Sequence, residues 1–310
     1  MRIQMRRLVD KLKKYRIGVL AGGCSEEREI SKKSGQAIFD VLCAAGLDVV
    51  LIDVEEETDS FIGKFDFDLA FIALHGGFGE DGTIQQMLAG KGIPYTGSGP
   101  AASRLAFDKL LSKKRFIEAD MAVPKYTARG ADGSFSCNDV QLPCVIKPGM
   151  EGSSVGLSVV SAISEIAAAV DKAGLYAGNV IVEQYIPGRE LTVGILEDEP
   201  LPVVEIITGD GVFDFKAKYE DDRTRYVVPA VIDEGTCRKA MELGKKAHSL
   251  LGCGCFSRVD MRLTASGELF VLEVNTIPGF TERSLLPLAA KSLGVSFEEL
   301  CLRILNNAVP

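Results

Sequence analysis

Apolar residues in this sequence come in short runs that stop on glycine or a charge. RIGVLA at 16–21 ends at Gly22-Gly23, VVLIDV fills 49–54, and LAFIAL at 69–74 runs into His75-Gly76-Gly77. None approaches the ~18 residues of a membrane-spanning helix, and each has the length of a buried strand. Between the first two, Ile30, Ala37, Ile38, Val41 and Leu42 recur at helical spacing and make one stripe. Strands joined by helices demand a parallel sheet, because a parallel connection has to cross over. Residues 15–98 therefore read as a doubly wound parallel α/β unit. The helix over 25–45 has Ser25 as its expected N-cap, with Glu26, Glu27 and Glu29 where the helix dipole favours acid.

Beyond this unit the pattern changes. An amphipathic helix is expected over 101–119, ended by Val123-Pro124. PCVIKP (143–148), LSVV (157–160), VIVEQYI (180–186) and ELTVGIL (190–196) are strands at hairpin-like spacing, with a helix at 163–173. A helix over 234–251 leads to a β-hairpin, CFSRVDMRL at 255–263 and LFVLEVN at 269–275, and two helices close the chain near 284–292 and 297–306.

A chain of 310 residues suggests two domains, or three small ones interlocked around a site. The net charge of −8 offers no basic face to a phosphate backbone, so nucleic acid is a poor partner, while a small anion such as a nucleotide stays open. Eight cysteines at irregular spacing, two histidines and no CxxC pair favour reduced, buried thiols over disulfides or zinc. The start, MRIQMRRLVDKLKKYR, has no apolar core and no small-residue cleavage site, so it is no secretory signal. It reads as a solvated amphipathic helix or frayed extension, and the cytoplasm follows by default.

The hairpin carries the most chemistry. Alternate strand residues share a face, so Arg258 and Asp260 point one way, and Glu273 and Asn275 share a face of the other strand. If those faces coincide, two carboxylates resist burial unless a cation sits between them. Oxygen-only donors favour a hard ion, magnesium above all, with phosphate as the remaining ligand. An exposed edge hairpin with ordinary surface charges is the competing reading. GMEGSSVG at 149–156 follows Lys147; its glycines bring N–H groups near phosphate oxygens and Ser153 and Ser154 add hydroxyls, although a plain turn fits as well. Lys109 and Lys218 are further cations that each alone read as surface lysines. Glu183-Gln184-Tyr185-Ile186 offers backbone edges to a purine, and Glu190 is placed for a ribose hydroxyl, or the segment is a hairpin with charged rims. His75 is a structural cap or a ligand contact. Glu27 lies at the first strand-to-helix turn, the ligand end of a parallel sheet.

Taken together, GGCSEEREIS (22–31), ALHGGFGEDGTIQ (73–85), PYTGSG (94–99), DKLLSK (108–113), VIKPGMEGSSVG (145–156), GRELTV (188–193), AKY (217–219), RVD (258–260) and LEVNTIPGFTERSL (272–285) resemble the D-alanine–D-alanine ligases of the ATP-grasp superfamily. The resemblance covers nearly the whole chain from about residue 16. It implies an ATP-grasp fold, α/β and α+β: an N-terminal parallel α/β domain (1–98), a central subdomain (99–186) and a C-terminal subdomain (187–310), the last two being mixed-sheet ATP-binding units. By resemblance Lys109, Lys147 and Lys218 hold phosphates, and Glu183, Gln184, Ile186 and Glu190 hold adenine and ribose. Asp260, Glu273 and Asn275 coordinate two Mg²⁺ (or Mn²⁺). Glu27 binds the first D-alanine's ammonium with His75 close by, Arg258 and the Gly279 N–H form an oxyanion site, and Ser284 with the Leu285 N–H takes the second D-alanine's carboxylate. Glu27, Ser153 and Tyr219 form a triad. The implied activity is ATP-dependent dipeptide synthesis through an acyl phosphate, for peptidoglycan, by a homodimer. A D-alanine–D-serine ligase, another carboxylate–amine ligase of the superfamily, or a nucleotide-binding relative without ligase chemistry are the alternatives. Gln184 stands where the family often has Lys, Arg262 where it has an apolar floor to the adenine pocket, and Ile277 where it commonly has Ser.

Overall fold

The computed structural model describes residues 2–128, 141–176, 178–209 and 221–309. Helix α1 (Arg2–Leu12) precedes a three-stranded parallel sheet of β1 (Arg16–Gly22), β2 (Asp48–Val54) and β3 (Leu69–Ile72), with β1 in the middle. The crossover helix between β1 and β2 is α2 (Arg28–Ala44), so close over the sheet that a Cβ on Gly35 would stand 2.4 Å from that of Ala21. It starts at Arg28, later than the expected Ser25, and Ser25 is not its cap. The Ser25 hydroxyl donates to the His75 carbonyl and accepts the Glu27 N–H. The serine thus ties the first loop to the end of β3, and Glu27 becomes the boundary residue of α2. A one-turn helix, α3 (Gly77–Glu80), occupies the expected glycine loop, and α4 (Thr83–Gly90) follows.

The single helix expected over 101–119 is two, α5 (Pro100–Phe107) and α6 (Lys109–Glu118). Asp108 separates them: its backbone is extended and its carboxylate accepts the N–H groups of Leu110 and Leu111. A carboxylate cap at a helix N-terminus stabilises by roughly 1 kcal/mol, enough to prefer a break over a continuous helix. Next comes a four-stranded antiparallel sheet in the order β4-β7-β5-β6, made of β4 (Tyr126–Ala128), β5 (Cys144–Pro148), β6 (Ser158–Val160) and β7 (Val180–Gln184). A 3₁₀ turn and α7 (Ile166–Ala173) cover it, burying Ile146, Val160 and Val182 against Ala169 and Ala173.

The last sheet contains β8 (Arg189–Leu196), β9 (Glu199–Pro200), β10 (Val204–Ile207), β11 (Arg225–Val227), β12 (Phe256–Leu263) and β13 (Leu269–Asn275). Its order is β11-β10-β8-β12-β13, with β9 on β8. Helix α8 (Glu234–Leu250) covers one face, and α9 (Leu285–Ser292) and α10 (Phe297–Ala308) bridge to the N-terminal sheet. Helices α5 and α6 pack on this sheet, not on the four-stranded one: Ala106 and Phe116 share a core with Val193, Val259 and Val271. Helix α1 is not a solvated extension. It docks on α10, where Leu12 is fully buried and Met5, Leu8 and Val9 pack against Leu302 and Leu305 as one core.

Candidate active site

The β12–β13 pairing sets the site. Arg258 stands opposite Asn275 and Asp260 opposite Glu273. Strand β12 lies between β8 and β13 and is buried along its whole length, which removes the exposed-hairpin reading. The two carboxylates already draw cations from the chain. Arg258 Nε and Nη2 donate to Asp260 at 2.8 and 2.7 Å, Thr192 donates to the same carboxylate at 2.6 Å, and Lys109 Nζ stands 3.2 Å from Glu273. Of the two orientations of the Asn275 amide, one satisfies both neighbours: Nδ2 donates to Glu80 Oε1 at 2.8 Å and Oδ1 accepts from Arg258 Nη2 at 2.9 Å. Asp260, Glu273 and the Asn275 carbonyl thus offer hard oxygen donors with an evident demand for positive charge. Among the described residues no three acidic, histidine or cysteine side chains form a metal cage on their own. The donor set fits a magnesium or manganese ion that completes its shell with phosphate.

These strands separate two clefts. The first is an open cleft of about 830 Å³, solvent at its mouth included. Lys109, Lys147, Ile186, Glu190, Asp260 and Glu273 are on its wall. Lys109 begins α6 and reaches the Glu151 carbonyl at 2.6 Å, holding the glycine-rich loop. Beneath the cleft lies a buried ion triad: Glu183 is 2.6 Å from Lys147 and 2.9 Å from Lys113. Burial alone would raise the Glu183 pKa, but the two lysines outweigh it and hold it below the usual range. Burial lowers Lys113, while Lys147 ends above its ordinary value because Glu183 overcomes the same penalty. The Glu183 side chain is therefore a counter-ion, and only its backbone can face a base. Gln184 closes β7 beside Lys125, whose carbonyl accepts its N–H at 2.8 Å. Arg262 does not leave an apolar floor. Its guanidinium donates to the carbonyls of Ile186 (3.1 Å) and Gly188 (3.0 Å) and to Glu190 (2.9 Å), fixing the turn between β7 and β8.

The second cleft is lined by Glu27, His75, Ser153, Arg258, Asn275 and Ser284, with Gly279 and Leu285 at the same wall. Ser153 donates to Glu27 Oε1, a bond that joins the glycine-rich loop to the N-terminal unit. Ser153 and Ser154 both have left-handed backbones, φ 46° and 58°, a conformation that costs about 1 kcal/mol or more per residue and concentrates at functional sites. Glu27 Oε2 is buried and makes no hydrogen bond. Gly152 passes so close that a Cβ there would lie 2.2 Å from this oxygen. His75 is engaged on both sides of its ring: Nδ1 is 3.1 Å from the Ile277 carbonyl and Nε2 3.2 Å from Ser34 Oγ, which in turn accepts the Phe280 N–H. A carbonyl only accepts, so Nδ1 carries the proton. Burial lowers the His75 pKa and keeps the ring neutral. The ring pins the loop that carries Gly279, and the Ile277 side chain is buried in the core, away from this chemistry. Ser284 precedes α9 without capping it; its hydroxyl instead bonds Thr281. Glu80 also lines the second cleft, its carboxyl pushed up to about 8 by burial and then by Glu27. Lys218 and Tyr219 lie outside the described residues.

Lys113 and Glu80 were not singled out from sequence. Lys113 follows Lys109 by one helical turn, a spacing that places both on one face of α6. Glu80 sits in plain view in HGGFGEDG, with nothing in the string to say it turns inward.

A cleft lined by lysines and carboxylates and gripped between two antiparallel sheets, opening beside a parallel α/β unit, defines an ATP-grasp protein. Comparison with known proteins narrows this. A family model described as D-ala D-ala ligase C-terminus matches residues 127–306, and one described as D-ala D-ala ligase N-terminus matches 61–98. The D-alanine–D-alanine ligase of Geotalea uraniireducens is 46% identical over 302 residues, covering 97% of each chain. That of Geobacter sulfurreducens is 42% identical over 302 residues, covering 96% of each. The solved D-alanine–D-alanine ligase from Bacillus anthracis complexed with ATP has a TM-score of 0.84 at 29% identity, over 95% of this chain and 97% of that one. The VanG D-Ala:D-Ser ligase from Enterococcus faecalis gives 0.82 at 31%, over 94% and 99%. The chain belongs to the D-alanine–D-alanine ligase family.

Proposed function

We propose that this chain is an ATP-dependent, ADP-forming ligase that joins two D-alanines through a D-alanyl phosphate, supplying the dipeptide for peptidoglycan precursors. One observation carries the reading. The paired strands β12 and β13 bring Arg258, Asp260, Glu273 and Asn275 together where two clefts adjoin, Asp260 and Glu273 lining the first and Arg258 and Asn275 the second. A phosphoryl group in the first cleft and a carboxylate in the second meet at that junction.

The chain's own residues then have defined work. Lys109 and Lys147, with Lys218, neutralise phosphate charge, and the backbone of Glu183, Gln184 and Ile186, with the Glu190 side chain, orients adenine and ribose. Asp260, Glu273 and Asn275 would hold two magnesium (or manganese) ions, whose chemistry is to offset phosphate charge during transfer. An orphaned carboxylate oxygen in a dry site is costly, and an ammonium is what would satisfy Glu27 Oε2. The first D-alanine's carboxylate oxygen, held there, takes the γ-phosphoryl group and ADP leaves. The amine of the second D-alanine, as the free base and with its carboxylate at Ser284 and the Leu285 N–H, attacks the activated carbonyl carbon; phosphate departs with the bonding pair and carries off the proton the nitrogen gives up. Arg258 and the Gly279 N–H meet the oxyanion. Ser153, bonded to Glu27, holds the glycine-rich loop over the site and keeps water from the acyl phosphate, and Tyr219 is proposed to share that role. A cytoplasmic homodimer belongs to the same reading; among the described residues no helix is long and apolar enough to cross a membrane.

The test is phosphate release with each candidate second substrate. ATP and Mg²⁺ with D-alanine should release phosphate and yield the dipeptide, L-alanine and D-lactate should not, and D-serine measures tolerance at the second position. Sedimentation of the purified chain tests the dimer. ATP turnover indifferent to D-alanine would refute the reading.

A further inference from the structure

Glu80 is buried on α3, in the loop of the N-terminal unit, yet it touches the strands that build the reaction wall. Its Oε2 accepts the Gly76 N–H at 2.8 Å, which stops the carboxyl from rotating. Its Oε1 accepts the Asn275 Nδ2 at 2.8 Å, and Asn275 Oδ1 accepts from Arg258, which holds Asp260 with two bonds. An asparagine amide has no preference of its own between its two orientations. Here Glu80 Oε1, an acceptor to the amide whenever the carboxyl is ionised, stands on one side and a guanidinium, which only donates, on the other.

We infer that Glu80 is a positioning residue for the ligase reaction, fixing which way the Asn275 amide faces and, through its carbonyl, the Arg258 guanidinium. The inference rests on the proposed function, in which the Asn275 carbonyl serves a divalent cation. Replacing one Glu80 oxygen by an amide nitrogen sets donor against donor on one side. The Gly76 N–H is backbone and cannot turn, so in either orientation of the Asn275 amide one donor faces another, at position 80 or at Arg258, and neither orientation is held as the unmodified pair holds it. The Asn275 carbonyl is then no longer fixed in one position beside Asp260 and Glu273.

The test measures ADP affinity by calorimetry with and without Mg²⁺, at a pH above the range in which the carboxyl titrates, beside thermal melting of each variant. Glu80→Gln should reduce the Mg²⁺-dependent gain in ADP affinity about tenfold while metal-free ADP binding is kept, as loss of an orienting partner of a metal ligand does. Asn275→Ala should reduce it at least as much. The double variant E80Q/N275D moves the acceptor across the same contact: the amide at 80 donates, and the carboxylate at 275 accepts from it and from Arg258. It should return to within about threefold of the unmodified chain, a coupling that independent sites do not show. If N275A loses the Mg²⁺ gain and E80Q keeps it, the role of Glu80 is overturned and that of Asn275 stands. If N275A keeps it, the cation reading falls and this inference with it. If E80Q loses it and E80Q/N275D recovers nothing, the account by amide orientation is overturned.

Discussion

Lys113 has no surface exposure, and its ammonium stands 2.9 Å from Glu183 and 5.7 Å from the centre of the Tyr126 ring. Lys113→Met keeps the unbranched stem and removes the charge. Were the lysine only a packing stem, such a volume-conserving change would cost under ~1.5 kcal/mol. As a counter-ion its loss leaves Glu183 Oε2 buried with half its compensation gone. Breaking a buried pair costs about 3–5 kcal/mol, and the lower end applies because Lys147 still holds the other oxygen at 2.6 Å. At roughly 2–4 °C per kcal/mol for a domain of this size class, the melting temperature should fall by about 6–12 °C. The same change leaves Lys147 as the sole partner of Glu183, drawing its ammonium away from the cleft, so KM for ATP should rise while KM for D-alanine holds. Differential scanning calorimetry and initial rates at varied ATP read both effects. A melting temperature within about 2 °C of the unmodified chain would refute the triad as an electrostatic unit.

Arg258→Ala should lower kcat by about 10²–10³-fold if the guanidinium meets the oxyanion; near-normal turnover with ATP and D-alanine would reject that role. His248 is buried, with Nδ1 2.7 Å from Ser257 Oγ and Nε2 3.4 Å from Asp198, and burial lowers its pKa below 6.5. The unfolded chain therefore binds its proton first as pH falls through 6.5, so stability present above that value is lost toward the depressed one, and His248→Gln should flatten that slope in urea titrations at a series of pH values. Leu12→Ala should cost about 3 kcal/mol if α1 is a docked helix, lowering the melting temperature with both KM values unchanged; an unmoved melting temperature would mean the helix is dispensable.

How far the sequence reached depended on how local each signal was. The β12–β13 hairpin was legible because period-two alternation fixes which residues share a face, and Asp260 and Glu273 are indeed opposite one another. The same rule could not say that Arg258 would spend its donors on Asp260, since that depends on rotamers. Strand ends and the break at Asp108 were harder: helical periodicity carries straight through 101–119, and only the carboxylate cap decides for two helices. Ser25 shows the reverse error, a good cap by residue type that a carbonyl from β3 claimed instead. Lys113, Glu80 and the docking of α1 were out of reach for one reason. Each acquires its meaning from a partner distant in the chain: Glu183, Asn275 and α10.

The contact between α1 and α10 has a consequence for how the chain comes off the ribosome. Leu12, Ile17 and Val19 share one core with Leu300, Leu302 and Leu305, which follow them far along the chain. The parallel sheet is made first, but its apolar surface stays wet until α10 has been made. During that interval the earlier segment is exposed to aggregation through this uncovered face.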